Sequence, residues 1–172
     1  MHMLLENWLL ALSTHLGDAC DAAQDDLSPS AAAALLTVHH HGPLTVSALA
    51  RVVGVSQPTA LRVAAGLERA GWVDKAARDG RERRLRLTTT GRMRARQAQR
   101  ARLEVAQRTF DVLSPRERDL FGRMVGKLLD GAITSRAQAR RTCRQCDHGV
   151  CAGASCPAGT KATRLETLED LA

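Results

Sequence analysis

The sequence contains no tyrosine and only two residues each of phenylalanine and tryptophan, so aromatic residues make up 2% of its 172 residues. A hydrophobic core must therefore be built from Leu, Val and Ala. No stretch approaches the roughly 18 consecutive apolar residues that a membrane-spanning helix needs. The N-terminal segment is apolar but carries Glu6 and has no basic flank, which argues against a signal peptide. We expect a cytoplasmic protein that does not contact a membrane.

Lysine is scarce as well, with three residues against 22 arginines. Residues 1–50 contain neither and carry a net charge of −5, whereas residues 51–144 carry +14 and residues 145–172 carry −2. A randomly solvated surface does not segregate charge in this way. Together with an overall net charge of +7 and a pI near 9.9, the basic centre predicts a polyanionic partner.

The motifs of common enzyme classes are missing. The sequence has no zinc-protease helix, no nucleophile elbow and no dinucleotide-binding glycine fingerprint. The segment 122–127 resembles a phosphate-binding loop only superficially, because it has one residue too few between its glycines and lies in an amphipathic helical pattern. We therefore expect a protein that is not an enzyme.

Apolar spacing and cap signals predict a mainly α-helical chain. Apolar residues between Leu5 and Leu16 recur at helical spacing and predict a first helix that ends near Gly17 or continues to Asp26. Further helices are predicted by N-cap residues and by the glycines that end them. The N-caps are Ser28, Thr45, Ser56 and Ser114, and the stops are Gly42, Gly54 and Gly71. The helix after Ser114 carries two adjacent apolar positions per turn over residues 120–133, a stripe too broad for one solvated helix.

A β-hairpin is predicted within residues 72–88. Leu85 and Leu87 alternate with polar residues after an Asp79-Gly80 turn. The order helix, helix, short helix, turn, second helix and hairpin is that of a winged helix-turn-helix, here with N- and C-terminal flanking helices. In this fold the second helix of the turn enters the major groove of DNA, and the hairpin reaches the neighbouring minor groove.

The helix predicted over residues 57–70 presents a polar face. Leu61, Ala64 and Leu67 are expected to point inward. The opposite face and the helix start carry groups that can read bases or bind phosphate. These candidate DNA contacts are Ser56, Gln57, Thr59, Arg62 and Arg69. A solvated helix face can have the same composition, but five arginines within nine residues of the neighbouring hairpin favour DNA binding.

One stretch of the sequence resembles a known family. The run TVSALARVVGVSQPTALRVAAGLERAGWVDKAARDGRERRLRLTTTG is similar to the DNA-binding core of the MarR family of bacterial transcription regulators. The resemblance covers residues 28–92 and is most specific at the wing, in Asp79-Gly80-Arg81 and the Leu-Arg-Leu-Thr at 85–88. It implies a regulator, expected to be a repressor, that binds double-stranded DNA.

The resemblance also implies residue roles and partners. Arg81 would read the minor groove from the wing tip and Asp79 would brace the hairpin, while Arg83 and Arg84 are better suited to phosphate contacts. Members of the family are homodimers whose first helix and last two helices intertwine, which would explain the broad stripe at residues 120–133. A two-fold dimer would present two recognition helices to a pseudo-palindromic operator. A small-molecule effector is a further partner that the resemblance allows.

The predicted elements divide the chain into four parts. Residues 1–27 form an N-terminal dimerisation helix, and residues 28–92 form the winged helix-turn-helix domain. Residues 93–141 contain a long linking helix and a dimerisation helix, and residues 142–172 are a cysteine-rich tail. This division describes a mainly α fold with a small β-hairpin wing.

Four cysteines lie within fourteen residues of this tail. Cys143, Cys146, Cys151 and Cys156 have gaps of two, four and four residues, the spacing of a zinc knuckle with cysteine in place of its usual histidine. A closed Zn²⁺ site with four thiolates is the expected state. An iron–sulfur cluster is one alternative, and metal-free thiols that oxidise in pairs, or that have no function, are another.

Other cysteine and histidine residues are weaker candidates. Cys20 falls on the first helix, and we expect it to be buried and inert, because the chain has no tyrosine to form the peroxide-sensing arrangement of some MarR proteins. His39, His40 and His41 precede a helix end, where histidines usually interact with the helix dipole or line a dimer surface. The main alternative function is a winged-helix protein-interaction module with a structural zinc knuckle.

Overall fold

The computed structural model describes residues 2–24, 26–75 and 84–169. Within these ranges the chain is mainly α-helical and contains a three-stranded antiparallel sheet. The predicted fold class, mainly α with a small β-hairpin, is confirmed. The predicted wing residues Asp79, Arg81 and Arg83 lie outside the described residues.

The described residues form eight α-helices and three strands. In chain order they are α1 (His2–Ala22), α2 (Pro29–His41), β1 (Leu44–Thr45), α3 (Val46–Val53), α4 (Gln57–Arg69), β2 (Val73–Lys75), β3 (Arg84–Leu87), α5 (Thr89–Phe110), α6 (Pro115–Ala132), α7 (Arg136–Thr142) and α8 (Pro157–Glu169). A 3-10 turn at Gly153–Ser155 precedes α8. Strand β3 lies in the middle of the sheet and pairs antiparallel with both β1 and β2. Of the two predicted ends of the first helix, the structure supports the later one, because α1 continues past Gly17.

Side-chain caps begin the helices at the predicted residues. The hydroxyls of Ser28, Thr45, Ser56 and Ser114 each accept a hydrogen bond from the backbone N–H three residues later. The backbone N–H of Ser114 also donates to Glu117 Oε2 at 2.8 Å, which completes a capping box. Gly54 ends α3 with a φ of +80°, in the left-handed region that glycine adopts without a steric cost. Local sequence therefore sets where these helices begin and end.

The main core is built around α2. All residues of this helix from Ala32 to Val38 are buried, and it contacts α3, α4, α5 and β3. Leu49, Leu67 and Leu85 reach the same core from the surrounding elements. The core is thus formed by Leu, Val and Ala, as the low aromatic content predicts. A helix that is enclosed on every side holds the helix-turn-helix and the sheet in fixed positions around it.

The inward face of α4 differs from the prediction at one residue. Ala60, Ala64 and Leu67 are buried, whereas Leu61 is 53% exposed. The spacing of four and three residues follows one face of a helix, and Leu61 lies about 100° away from Ala60 on that helix. The prediction that Leu61 points inward is therefore wrong, because the smaller Ala60 occupies the buried position beside it.

A second, smaller packing unit follows α6, and we call residues 133–169 the C-terminal unit. It contains α7 and α8, which pack against each other, and α8 also contacts α6. Its buried core consists of Ile133, Ala139, Ala158 and Ala162, with two of the cysteines packed against them. The sequence pattern predicts residues 142–172 only as a cysteine-rich tail, whereas α8 occupies Pro157–Glu169 of it. Pro157 at the first helical position was the available signal.

Candidate nucleic-acid interface and cysteine cluster

The start of α4 carries a chain of hydrogen-bonded polar side chains. The hydroxyls of Ser56 and Thr59 lie 2.9 Å apart, and Arg62 Nη2 donates to Thr59 Oγ1 at 3.3 Å. These residues are three apart along the helix and therefore share one face. Ser56 and Arg62 are exposed and Thr59 is half-buried. The structure thus brings three of the predicted DNA contacts together on an open surface.

Gln57 links the two helices of the helix-turn-helix. Its side-chain amide donates from Nε2 to Ser47 Oγ on α3 at 3.2 Å, although the residue itself is exposed. One of its donor groups is therefore engaged within the protein. This bond fixes the start of α4 relative to α3, a role that the sequence analysis did not assign to Gln57.

Arg69 lies apart from the other predicted contacts. It is exposed in the last turn of α4, and a rise of 1.5 Å per residue separates it from Ser56 by about 20 Å along the helix axis. Side chains at the two ends of α4 cannot contact the same base pair. A guanidinium at this end is better suited to a backbone phosphate than to the bases that the start of α4 would reach.

An ion pair braces the stem of the hairpin. Asp74 on β2 faces Arg86 on β3, and Arg86 donates from Nε and Nη2 to the two carboxylate oxygens at 2.6 and 3.1 Å. The hydrogen bonds from Arg86 hold the pKa of the Asp74 carboxyl below its usual value. Sequence reasoning missed this pair, because only the strand register shows that the two residues face each other. Arg84 begins β3 and is exposed.

The four C-terminal cysteines line one open pocket of about 660 Å³. Cys143 ends α7, Cys146 and Cys151 lie in the turns that follow, and Cys156 precedes α8. The backbone N–H of Gly159 donates to Cys156 Sγ at 3.2 Å. All four are free thiols of intermediate burial. The four cysteines that the sequence spacing assigns to one site are therefore brought together around one cavity.

The thiols influence one another's protonation. Hydrogen bonding to Cys146, together with burial, raises the pKa of Cys143. Hydrogen bonding to Cys143 lowers the pKa of Cys146 to about 7, assisted by the charge of Arg102 and opposed by burial. Burial and the neighbouring Cys156 raise the pKa of Cys151 to about 11. One thiol of the cluster is thus poised to ionise near neutral pH.

No preformed metal site is found among residues 2–24, 26–75 and 84–169. In these ranges no group of three or more His, Cys, Asp or Glu side chains has an arrangement that could hold a metal ion as it stands. A four-thiolate centre would therefore require the thiols to lose protons and their side chains to reorient. Four thiols around a common pocket supply the ligand type that Zn²⁺ and iron–sulfur clusters prefer.

The histidines at the end of α2 contact the cysteine segment. The rings of His40 and His148 stack with centroids 4.7 Å apart, and His41 meets His148 edge-on at 4.9 Å. His40 Nε2 also lies 3.0 Å from Gln99 Oε1 on α5. These rings therefore form part of the contact between α2 and the C-terminal unit, a position that was not foreseen. Cys20 on α1 is buried, as predicted.

The geometry defines a class of protein. A short helix and a second helix with an exposed polar face are followed by an antiparallel hairpin, all packed on one buried helix. This is the winged helix-turn-helix of DNA-binding proteins. No helix among the described residues is long and apolar enough to cross a membrane.

Comparison with known proteins shows which family the helix-turn-helix resembles. Residues 25–84, which contain the helix-turn-helix and the start of β3, match the model of the MarR family. The match covers 60 of the 172 residues, so this segment of the chain is similar to MarR family proteins. The cysteine cluster lies outside the matched residues. No curated protein matches the sequence.

Solved structures share the fold. A MarR family protein from Bacillus stearothermophilus has 23% identity and a TM-score of 0.67, over 73% of this chain and 91% of that one. The Staphylococcus aureus regulator MepR, of the multidrug efflux pump MepA, has 21% identity and a TM-score of 0.64, over 73% and 96%. The Mycobacterium tuberculosis MarR family protein RV2887, in complex with salicylic acid, has 27% identity and a TM-score of 0.59, over 72% and 95%.

Proposed function

We propose that this protein is a homodimeric repressor that binds a pseudo-palindromic operator. The observation that carries the proposal is the hydrogen-bonded row of Ser56, Thr59 and Arg62 at the start of α4, of which Ser56 and Arg62 are exposed. Bonds between these side chains reduce their freedom before DNA is bound, so less conformational entropy is lost on binding. The net charge of +14 over residues 51–144 would attract the phosphate backbone from a distance.

The proposed partner for the remaining apolar surface is a second copy of the chain. Large apolar side chains on α1 and α6 are exposed in the single chain, and no described residue of α6 is buried. They are Met3, Leu4, Leu5, Trp8, Leu9, Leu10, Leu120, Met124 and Leu128. A soluble monomer rarely exposes so many large apolar side chains on two helices. A two-fold dimer through these helices would place two α4 helices on half-sites about one turn of DNA, roughly 34–36 Å, apart.

We infer that regulation acts by changing the separation of the two α4 helices. A dimer bound near a promoter would block polymerase until a signal moves one recognition helix relative to the other. RV2887 was solved with salicylic acid, and a small-molecule effector of this chain is proposed by analogy. The metal or redox state of the cysteine cluster is a second candidate signal.

DNA binding is tested with arginine variants on a duplex selected from random sequence. We expect Arg62→Ala and Arg81→Ala to weaken binding roughly 5- to 150-fold, corresponding to about 1–3 kcal/mol per lost contact. Arg108→Ala is the matched control, because Arg108 is an exposed arginine in the last turn of α5, outside α4 and outside the helices α1 and α6 proposed for the dimer. Fluorescence anisotropy at several salt concentrations measures the affinity and its salt dependence.

The same experiment addresses the alternative function. A winged-helix protein-interaction module would use the fold without reading DNA. Its affinity for the duplex would change as little in Arg62→Ala as in the Arg108→Ala control. That result would contradict the proposed regulator, whereas a selective loss in the Arg62 variant would support it.

A further inference from the structure

The C-terminal unit has too small a hydrophobic core for its size. Ile133 and three alanines are its fully buried apolar residues among those described. An alanine side chain buries little apolar surface, and α7 and α8, at 7 and 13 residues, are short helices whose stability depends on packing. Small units with such cores are usually completed by disulfides or by a metal.

The cysteines lie beside the small core of the C-terminal unit, where a bound metal would stabilise it. Cys143 and Cys156 pack against this core from the end of α7 and the start of α8. Cys146 and Cys151 come from the intervening turns and line the same pocket. One ion bound by all four thiolates would connect α7, α8 and the turns that carry Cys146 and Cys151. Four thiolates form a closed tetrahedral site of the kind that structural zinc occupies.

One hydrogen-bond donor already contacts a sulfur atom of the cluster. The Gly159 N–H donates to Cys156 Sγ at 3.2 Å. Hydrogen bonds of this type orient metal ligands. One group that would hold a zinc ligand in place is thus present before the metal binds.

The same unit rests directly on the helix-turn-helix. Arg141 on α7 lies so close to Gly54, in the turn between α3 and α4, that a β-carbon there would be 2.6 Å from Arg141 Nε. The carbonyl oxygen of Arg144 accepts a hydrogen bond from Thr37 on α2 at 3.4 Å, and that of Gln145 accepts one from α5 at 3.2 Å. Movement of the cysteine segment would therefore act on the elements that position α4.

We propose that Cys143, Cys146, Cys151 and Cys156 bind one zinc ion, and that this zinc fixes the C-terminal unit against the turn at Gly54 so that DNA affinity depends on metal occupancy. The proposal of a metal site depends only on the cysteine cluster. The dependence of DNA affinity on metal rests on the proposed function.

Metal binding is measured on the full chain, purified without oxygen, stripped of metal and then treated with Zn²⁺. We expect about one zinc per chain by elemental analysis, and a large loss of zinc in Cys146→Ala and Cys151→Ala. Cys20→Ala is the matched control, because Cys20 is a buried thiol outside the cluster. A brown protein that contains iron and sulfide would support the four-thiolate site but replace zinc with a cluster. Failure to bind zinc, or equal loss in the Cys20 control, would overturn the site.

The coupling is measured as the ratio of DNA affinities with and without Zn²⁺. We expect zinc to strengthen binding about 5- to 150-fold, the usual range for coupled sites. Arg141→Ala should retain zinc but bring this ratio close to one, whereas Arg108→Ala, which also removes one positive charge, should keep it. If Arg141→Ala had the same ratio as the original protein, the proposed coupling through the Arg141–Gly54 contact would be overturned. The protein could also bind zinc but fail to bind DNA both with and without it. That result would overturn the coupling and the proposed function and would leave the metal site supported.

Discussion

Among the glycines that the structure describes, Gly91 has the least room for a side chain. It lies in the first turn of α5, and a β-carbon there would be 1.8 Å from the backbone oxygen of Trp72. A backbone atom in a strand connection cannot move aside as a flexible side chain can. Glycine at this position therefore permits α5 to pack directly onto the segment that leads into β2.

Replacing Gly91 should consequently destabilise the fold. We expect Gly91→Ala to lower the free energy of unfolding by about 1–3 kcal/mol, the usual cost of overpacking. Gly66→Ala is the control, since Gly66 is also helical but has no heavy atom within 4 Å of an added β-carbon. It should raise stability by roughly 0.5–1 kcal/mol, because alanine favours helix. Urea unfolding followed by circular dichroism compares them, and equal stabilities would refute the close approach.

At the scale of elements, one hydroxyl joins the start of α5 to the end of the helix-turn-helix. Thr88 Oγ1 accepts from the Gly91 N–H at 2.9 Å and donates to the Gly71 carbonyl oxygen at 2.7 Å. It therefore caps α5 and holds the turn that follows α4. Thr90 donates to the same carbonyl at 2.9 Å.

Removal of this cap is a direct test of its role. Thr88→Val keeps the shape but loses the hydroxyl, and we expect a loss of about 1 kcal/mol in unfolding free energy, within the range for N-caps. Thr109→Val is the matched control, because the Thr109 hydroxyl only donates to the carbonyl of Val105 within α5. Thermal unfolding measures both. If the Thr109 variant lost as much stability, the cap would have no special contribution.

The elements also show how far sequence reasoning reaches. Caps, helix starts and the hairpin depend on residues close together in the chain, so Ser56 and the Ser56–Thr59–Arg62 face were predictable. The inward position of Ala60 was not, because periodicity alone cannot choose between it and the larger Leu61 beside it. The contacts of the cysteine segment with α2 and α5 depend on packing between distant parts of the chain, which no local pattern encodes.

At the scale of the whole molecule, the exposed apolar faces of α1 and α6 predict a dimer that is required for tight DNA binding. Leu9→Glu with Leu128→Glu would place two charges in this interface, and we expect a monomer by light scattering. Loss of one half-site contact should lower the apparent affinity about 10²- to 10⁴-fold, the range that bivalent binding adds. Met93→Glu is the control, since Met93 is equally apolar and exposed but lies on α5. A double variant that remained dimeric would contradict the proposed interface.

The contact between Thr37 and Arg144 joins residues 107 positions apart, whereas the core around α2 is complete by Ala98. A chain that emerges from the ribosome at roughly 5–20 residues per second exposes that core seconds before the cysteines follow. The DNA-binding segment thus has time to fold on its own. We expect the C-terminal unit to dock last, onto a surface that is already formed.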